Sequence, residues 1–161
     1  MRNFVDVQAR VKASKILRDF ISGKISNREF EDAQPITHDR AIGAIWDTMW
    51  VFYQDGKEHR LEGKYRLPPD QRRACIRWIV FLHSQLLYEW PDIYLPGVDP
   101  ASRIQDSFLK RLFSLHQDLT KEQTDRFLAT GHYPVWPFFR VSDYKRSLSS
   151  PRLLRGKTAC S

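Results

Sequence analysis

Cysteine is nearly missing from this chain: its two copies, Cys75 and Cys160, lie far apart and in no CxxC spacing. That excludes a disulfide framework and a thiolate zinc cluster, and it leaves Cys75, set in an apolar stretch, as a buried inert thiol. Histidine is as thin. His38, His59, His83, His116 and His132 stand singly, in no HExxH or HxH pattern, so neither a metal nor a cofactor is expected. A GxSxG elbow, a P-loop, a GxGxxG turn and a paired-carboxylate signature are all lacking, so no catalytic residue is assigned. Long hydrophobic runs are lacking too. The most apolar stretch, Pro69 to Trp90, is broken by Arg77, His83, Ser84 and Gln85, well short of the roughly 20 apolar residues that a membrane span needs. The opening MRNFVDVQARVKASK places Asp6 and Arg10 where a signal peptide needs an unbroken apolar core. A cytoplasmic location is expected on that ground.

What is present is a core. With 42% hydrophobic and 13% aromatic residues in 161, the chain has the material for one folded domain and not for a disordered one. The periodicity is helical. In Pro69 to Trp90, at about 100° per residue, Ile76, Ile79, Val80, His83, Leu86, Leu87 and Trp90 share one broad face, widened by Cys75 and Leu82. Asp70, Arg73, Arg77 and Ser84 lie opposite, interrupted by Phe81 and Tyr88, so neighbouring chain is expected to cover even that side. Pro69 suits a first helical turn, and Pro91 disfavours helix at Trp90. The expected fold is therefore all-α: a single domain of five to six helices packed around a central helix at about 69–90.

The other elements follow from local signals. Phe4 to Ser22 places Val7, Val11, Leu17 and Ile21 near helical spacing, with Arg10, Lys12, Lys15 and Arg18 among the solvent positions, and Gly23 closes the helix. In Ser26-Asn27-Arg28-Glu29 the serine and glutamate form a capping box, with Ile25 and Phe30 as its hydrophobic staple; Pro35 ends the short helix that follows. Asp39 to Tyr53 carries Ile42, Ile45, Trp46, Met49 and Trp50 toward the core. The charged stretch from Gln54 to Leu67 reads as loop, with a small hairpin between Gly56 and Gly63 as the alternative. Asp99 and Pro100 start a fifth helix running to His116, and Thr120 with Gln123 caps a shorter one that ends at Gly131. The prolines at 134 and 137 force HYPVWPFFR into extended chain, whose Trp136, Phe138 and Phe139 are expected to close the core, before a last helical turn from Ser142 to Leu148.

Charge is distributed unevenly. The net +7 is concentrated at the C-terminal end, where Arg140, Lys145, Arg146, Arg152, Arg155 and Lys157 face one anion, Asp143, leaving +2 for the rest. A folded body over 1–150 with a basic tail over 151–161 is the expected organisation. Such a tail either meets nucleic acid or anionic lipid or is a solvated terminus, the commoner case. Three smaller constellations stand out. The proline-framed loop after the central helix holds Asp92, Ile93, Tyr94, Leu95 and Asp99, a composition that suits an interface centre, although the same side chains could fold back over the helix end. His83 on the apolar face reads as a satisfied core histidine. Arg72, Arg73 and Arg77 either bind phosphate or, more commonly, pair with carboxylates.

Two stretches carry a resemblance. LRDFISGKISNREFED (Leu17 to Asp32) and WPFFRVSDYKRSL (Trp136 to Leu148) are similar to segments of a loose group of small helical bacterial proteins. The first also resembles a pattern in small immunity proteins that neutralise toxins from competing bacteria. The resemblance implies a helical fold and a protein partner, and it assigns no residue a role. Immunity proteins are often acidic because many of their toxins are basic; a net +7 suits an acidic or neutral toxin instead. The function expected is a non-enzymatic, protein-binding one in a bacterial cytoplasm, with a nucleic-acid role for the basic tail second and an enzyme third.

Overall fold

The computed structural model describes residues 4–103 and 119–149. Among them the chain is all-α, as expected: α1 (Val7–Ile21), α2 (Asn27–Asp32), α3 (Arg40–Met49), α4 (Pro69–His83), α5 (Lys121–Thr130) and α6 (Val141–Leu148) form one domain without a β-strand. Short 3-10 turns at Trp50–Phe52, Gly63–Tyr65, Pro100–Arg103 and Tyr133–Val135 link them. The stretch from Gln54 to Leu67 is loop with one such turn, not a hairpin. Beyond Arg103, the helix expected down to His116 lies outside the described residues, as does the tail 151–161. No described helix is long and apolar enough to cross a membrane.

The helix starts are built as the local chemistry dictates. Ser26 accepts from the Glu29 amide while Glu29 reaches back to the Ser26 amide at 2.7 Å, and Thr120 with Gln123 repeats the arrangement at α5. Each such box satisfies two amides that the first turn leaves without partners. Asp6 caps α1 through the Ala9 amide at 3.0 Å, and Asp39 caps α3 through the Ala41 amide at 3.1 Å. At the other end of α1, Gly23 takes φ +76, a left-handed conformation that a side chain would resist.

α4 is the hub: α1 lies along it, and α3 and α6 also contact it. It stops at His83, however, and not at Trp90. Ser84 is extended (ψ 156), its hydroxyl bonds back to the Phe81 carbonyl at 2.6 Å, and the carbonyls of Ser84 and Leu86 are taken by the guanidinium of Arg10 at 3.1 and 2.7 Å. Those carbonyls are thereby satisfied outside helical geometry. The buried face of α4 is also rotated from the one read from periodicity. Cys75, Trp78, Ile79, Val80, Phe81 and Leu82 are buried, whereas Ile76 and, past the helix, Leu87 are exposed.

Three further expectations are corrected. Arg10, placed among the solvent positions, is 1% exposed, and its Nε and Nη2 grip the Asp39 carboxylate at 2.6 and 3.1 Å. Val7 and Val11, placed on the packed stripe, are exposed, whereas Leu17 and Ile21 of the same stripe are buried together with Arg10, Ala13 and Ser14. Of the two tryptophans on the third segment only Trp46 reaches the core; Trp50 begins the 3-10 turn, where the change in winding carries it to the surface.

The C-terminal aromatics do close the core. Trp136 and Phe138 are buried, making edge-on contacts with Trp78 (5.5 Å between ring centres) and Phe81 (5.0 Å). Trp90 donates its indole N–H to the carbonyls of Pro137 and Phe138, both at 3.2 Å. Burying one large apolar side chain is worth about 1.5–3 kcal/mol, so this segment contributes substantially to the fold.

Candidate functional site

After Trp90 the chain alternates between solvent and core. Asp92 is 83% exposed at its side chain, Ile93 packs partly on the core, Tyr94 is 43% exposed, and Leu95 is 3% exposed. The loop is thus a lid through Ile93 and Leu95 and a display surface through Asp92 and Tyr94. Its backbone is held at several points. Leu95 sits at φ +47, a left-handed conformation costing a non-glycine residue about 1–2 kcal/mol, which the burial of its side chain offsets. The Leu95 carbonyl accepts from the Val98 amide at 3.1 Å, and the Gly97 amide donates to the Thr48 hydroxyl at 3.1 Å. Gly97 lies so close to α3 and the C-terminal aromatics that a Cβ there would fall 2.6 Å from both Thr48 Cγ2 and Trp136 Cζ3. Asp99 caps the next turn through the Ala101 amide at 3.0 Å.

Beside the loop opens a cleft of about 260 Å³, lined by Arg40, Asp47, Tyr88, Asp92, Ile93 and Pro96 among others. Arg40 fixes one wall: its Nε and Nη2 meet Asp92 Oδ1 at 3.0 and 2.7 Å, and Nη2 also bonds the Trp90 carbonyl at 2.7 Å. Its guanidinium lies 5.5 Å from the centre of the Tyr88 ring. Burial against the cleft pushes the Asp47 carboxyl above the usual carboxylate range. The Tyr88 phenol is pushed up by burial as well, and its oxygen accepts from the Trp136 indole at 3.2 Å. Arg40 and Asp47 were not singled out in the sequence, since nothing in α3 foretells which loop crosses it.

The other candidates do not converge. His83, read as the centre of an apolar face, is half-buried at the end of α4, with Arg18 Nη2 3.5 Å from its Nε2; burial first and Arg18 second lower its pKa. Among the described residues, Arg72 and Arg77 of α4 pair with carbonyls and not with carboxylates. Arg72 donates to Ile21 at 3.0 Å and Arg77 to Trp136 at 2.7 Å, while Arg73 is exposed. Burial lowers the pKa of Arg77. Of the basic C-terminal residues, Arg140 meets Glu89 and Asp143 at 3.2 and 3.5 Å, Arg146 meets Asp143 at 3.6 Å, and Lys145 is exposed. Arg152, Arg155 and Lys157 lie outside the described residues. Cys75 is buried against Met49 (3.7 Å between sulfurs), its thiol pushed up to about 12 by burial. Among the described residues no three acidic, histidine or cysteine side chains gather as metal ligands would.

Comparison with family models, curated proteins and solved structures found no match to this chain.

Proposed function

We propose that this chain is a non-enzymatic protein-binding protein whose contact surface is the loop Pro91 to Asp99 with the cleft beside it. One observation carries this reading: a loop held rigidly at Leu95 and Gly97 presents Tyr94 and Asp92 to solvent. A rigid loop that exposes a tyrosine loses little conformational entropy on binding, and tyrosine supplies contact area together with a polar tip. A non-glycine residue held in a left-handed conformation within such a loop is the kind of local cost that persists where a surface has a task. The resemblance of Leu17 to Asp32 to immunity proteins suggests a more particular role, an inhibitor that covers a toxin in a bacterial cytoplasm. Asp92 favours a partner that brings a cation or a hydrogen-bond donor to the loop.

The test separates display from lid. Tyr94→Ala and Asp92→Ala are expected to leave the melting temperature nearly unchanged while weakening capture of a co-purifying host protein at least tenfold, about 1.4 kcal/mol in a titration with the purified partner. Leu95→Ala is expected to lower stability by about 2–5 kcal/mol, as buried leucines do. Unchanged capture by both surface variants would show that the loop is a lid and no more.

A further inference from the structure

A second cleft lies elsewhere, between the end of α3 and the loop before α4. It has a volume of about 390 Å³, and its walls include Phe52, Tyr53, His59, Lys64, Tyr65 and Arg66. That size falls within the range of small-molecule sites, roughly 300–1,000 Å³. His59 is the unusual member. It is 9% exposed, and its Nδ1 lies 2.7 Å from the Lys57 carbonyl. A carbonyl only accepts, so Nδ1 carries the hydrogen and Nε2 of the neutral ring is left as an acceptor. Nε2 is buried and has no hydrogen-bond partner among the described residues. A buried acceptor without a donor has lost its bond to water and gained none in return, so a ligand that brings an N–H there restores it.

The rest of the lining says what would supply that donor. The Tyr65 ring stacks on the His59 imidazole with centres 4.1 Å apart, and Tyr53 and Phe52 add further aromatic surface. Lys64, 4.9 Å above the Tyr65 ring, and Arg66 contribute two cations with no carboxylate within ion-pairing distance among the described residues. Gln54 and Gln71 add amides, and no carboxylate lines the cleft. Aromatic faces, two cations and a bare ring acceptor suit a planar heterocycle that carries N–H donors and an anionic group.

We propose that this cleft binds a nucleoside monophosphate unit. The base stacks against the Tyr65 side, an N–H of the base answers His59 Nε2, and the phosphate lies between Lys64 and Arg66. Nε2 is closed to bulk water, so the wall must give for the ligand to reach it. Tyr65 is the member with room to move, a half-buried ring in the otherwise exposed turn Gly63–Tyr65. This site is independent of the loop Pro91 to Asp99.

Amide NMR titration of the full chain with AMP, GMP, CMP and UMP tests the assignment, with inorganic phosphate and ribose 5-phosphate as controls. Saturable shifts at millimolar nucleotide are expected at Phe52, Tyr53, His59, Tyr65 and Gln71. Lys64→Ala/Arg66→Ala alters only exposed side chains, and it should weaken binding at least tenfold with an unchanged melting temperature. A short single-stranded RNA distinguishes the sources. Binding at least tenfold tighter than the monomer at the same residues identifies a unit within a strand, and equal affinity identifies a free nucleotide; either supports the site. Shifts reproduced by inorganic phosphate alone, no saturable shift with any nucleotide, or no effect of the double variant would overturn it.

Discussion

His83 shows how a single side chain is set by its neighbours. Its imidazole is half-buried and faces the Arg18 guanidinium, and both influences disfavour the charged ring. The folded protein therefore holds the His83 proton less tightly than the unfolded chain does. Stability contributed by the neutral ring is complete above the ordinary histidine pKa of about 6.5 and is lost as pH falls below it, down to the lowered folded value. Glutamine cannot titrate. The expected result is that His83→Gln changes stability at neutral pH by at most a few kcal/mol, and that its melting temperature falls less than that of the natural protein between about pH 7.5 and 5. Asp6 and Asp19 act in a different window. Asp6 is held low by the Ala9 amide and the Thr37 hydroxyl, and Asp19 by Lys15 and Lys24. Their contributions are present above about pH 4 and are lost as pH falls through their lowered values, so they do not obscure the histidine. Parallel slopes for the two proteins across that range would show that His83 carries no such linkage.

At the scale of elements, the loop between α4 and the next helical turn decides most. It has no hydrogen-bonded regularity of its own, so contacts with α3 and with the C-terminal aromatics fix its path. Gly97 is the tightest of these contacts. A methyl group there meets Thr48, which is fully buried and bonded to the Ala44 carbonyl at 2.8 Å, and Trp136, which is 2% exposed. Neither neighbour is the free end of a flexible side chain, so the loop must move instead. Gly97→Ala is expected to cost about 1–3 kcal/mol, the usual range for overpacking, seen as a fall of several degrees in melting temperature. The same variant should weaken partner capture, although Gly97 itself is not displayed. A variant as stable as the natural protein with unaltered capture would show that the loop is not held at this point.

At the scale of the whole molecule, Arg10 ties together parts of the chain that are distant in sequence. From α1 it holds the Asp39 carboxylate at the start of α3 and the carbonyls of Ser84 and Leu86 after α4, and its guanidinium lies 5.1 Å from the centre of the Phe81 ring. Asp39 answers with bonds to the amides of Asp6 and Ala41 at 3.0 and 3.1 Å. Removing one partner of such a buried pair leaves a charge without compensation and costs about 3–5 kcal/mol. Against a total stability of about 5–15 kcal/mol, that is a large share. Arg10→Ala is expected to shift the urea midpoint by that free energy. The half-exposed Arg28, which pairs with Glu31 at 3.2 Å, should change stability by no more than about 1 kcal/mol when replaced by alanine. Equal losses from the two variants would show that the buried network contributes nothing special.

The elements themselves were legible in the sequence because their signals are local. Ser26 with Glu29, Thr120 with Gln123, Gly23 and Pro69 each act within one helical turn, and each marks the boundary that the chain adopts. The apolar aromatics at Trp136 and Phe138 had to be buried wherever the chain placed them. What the sequence could not determine was which side of each helix would meet which partner. An arginine on an amphipathic helix reads as solvent-facing until a carboxylate 29 residues away and two free carbonyls 74 and 76 residues away come to meet it. The same meeting satisfies the carbonyls of Ser84 and Leu86, which lie past the end of α4 at His83. His59 was one unremarkable histidine of five. Only the tertiary structure, by burying its ring and leaving one nitrogen without a donor among the described residues, singled it out as part of the proposed site, because desolvation is a property of the assembled chain and not of any residue's neighbours in sequence.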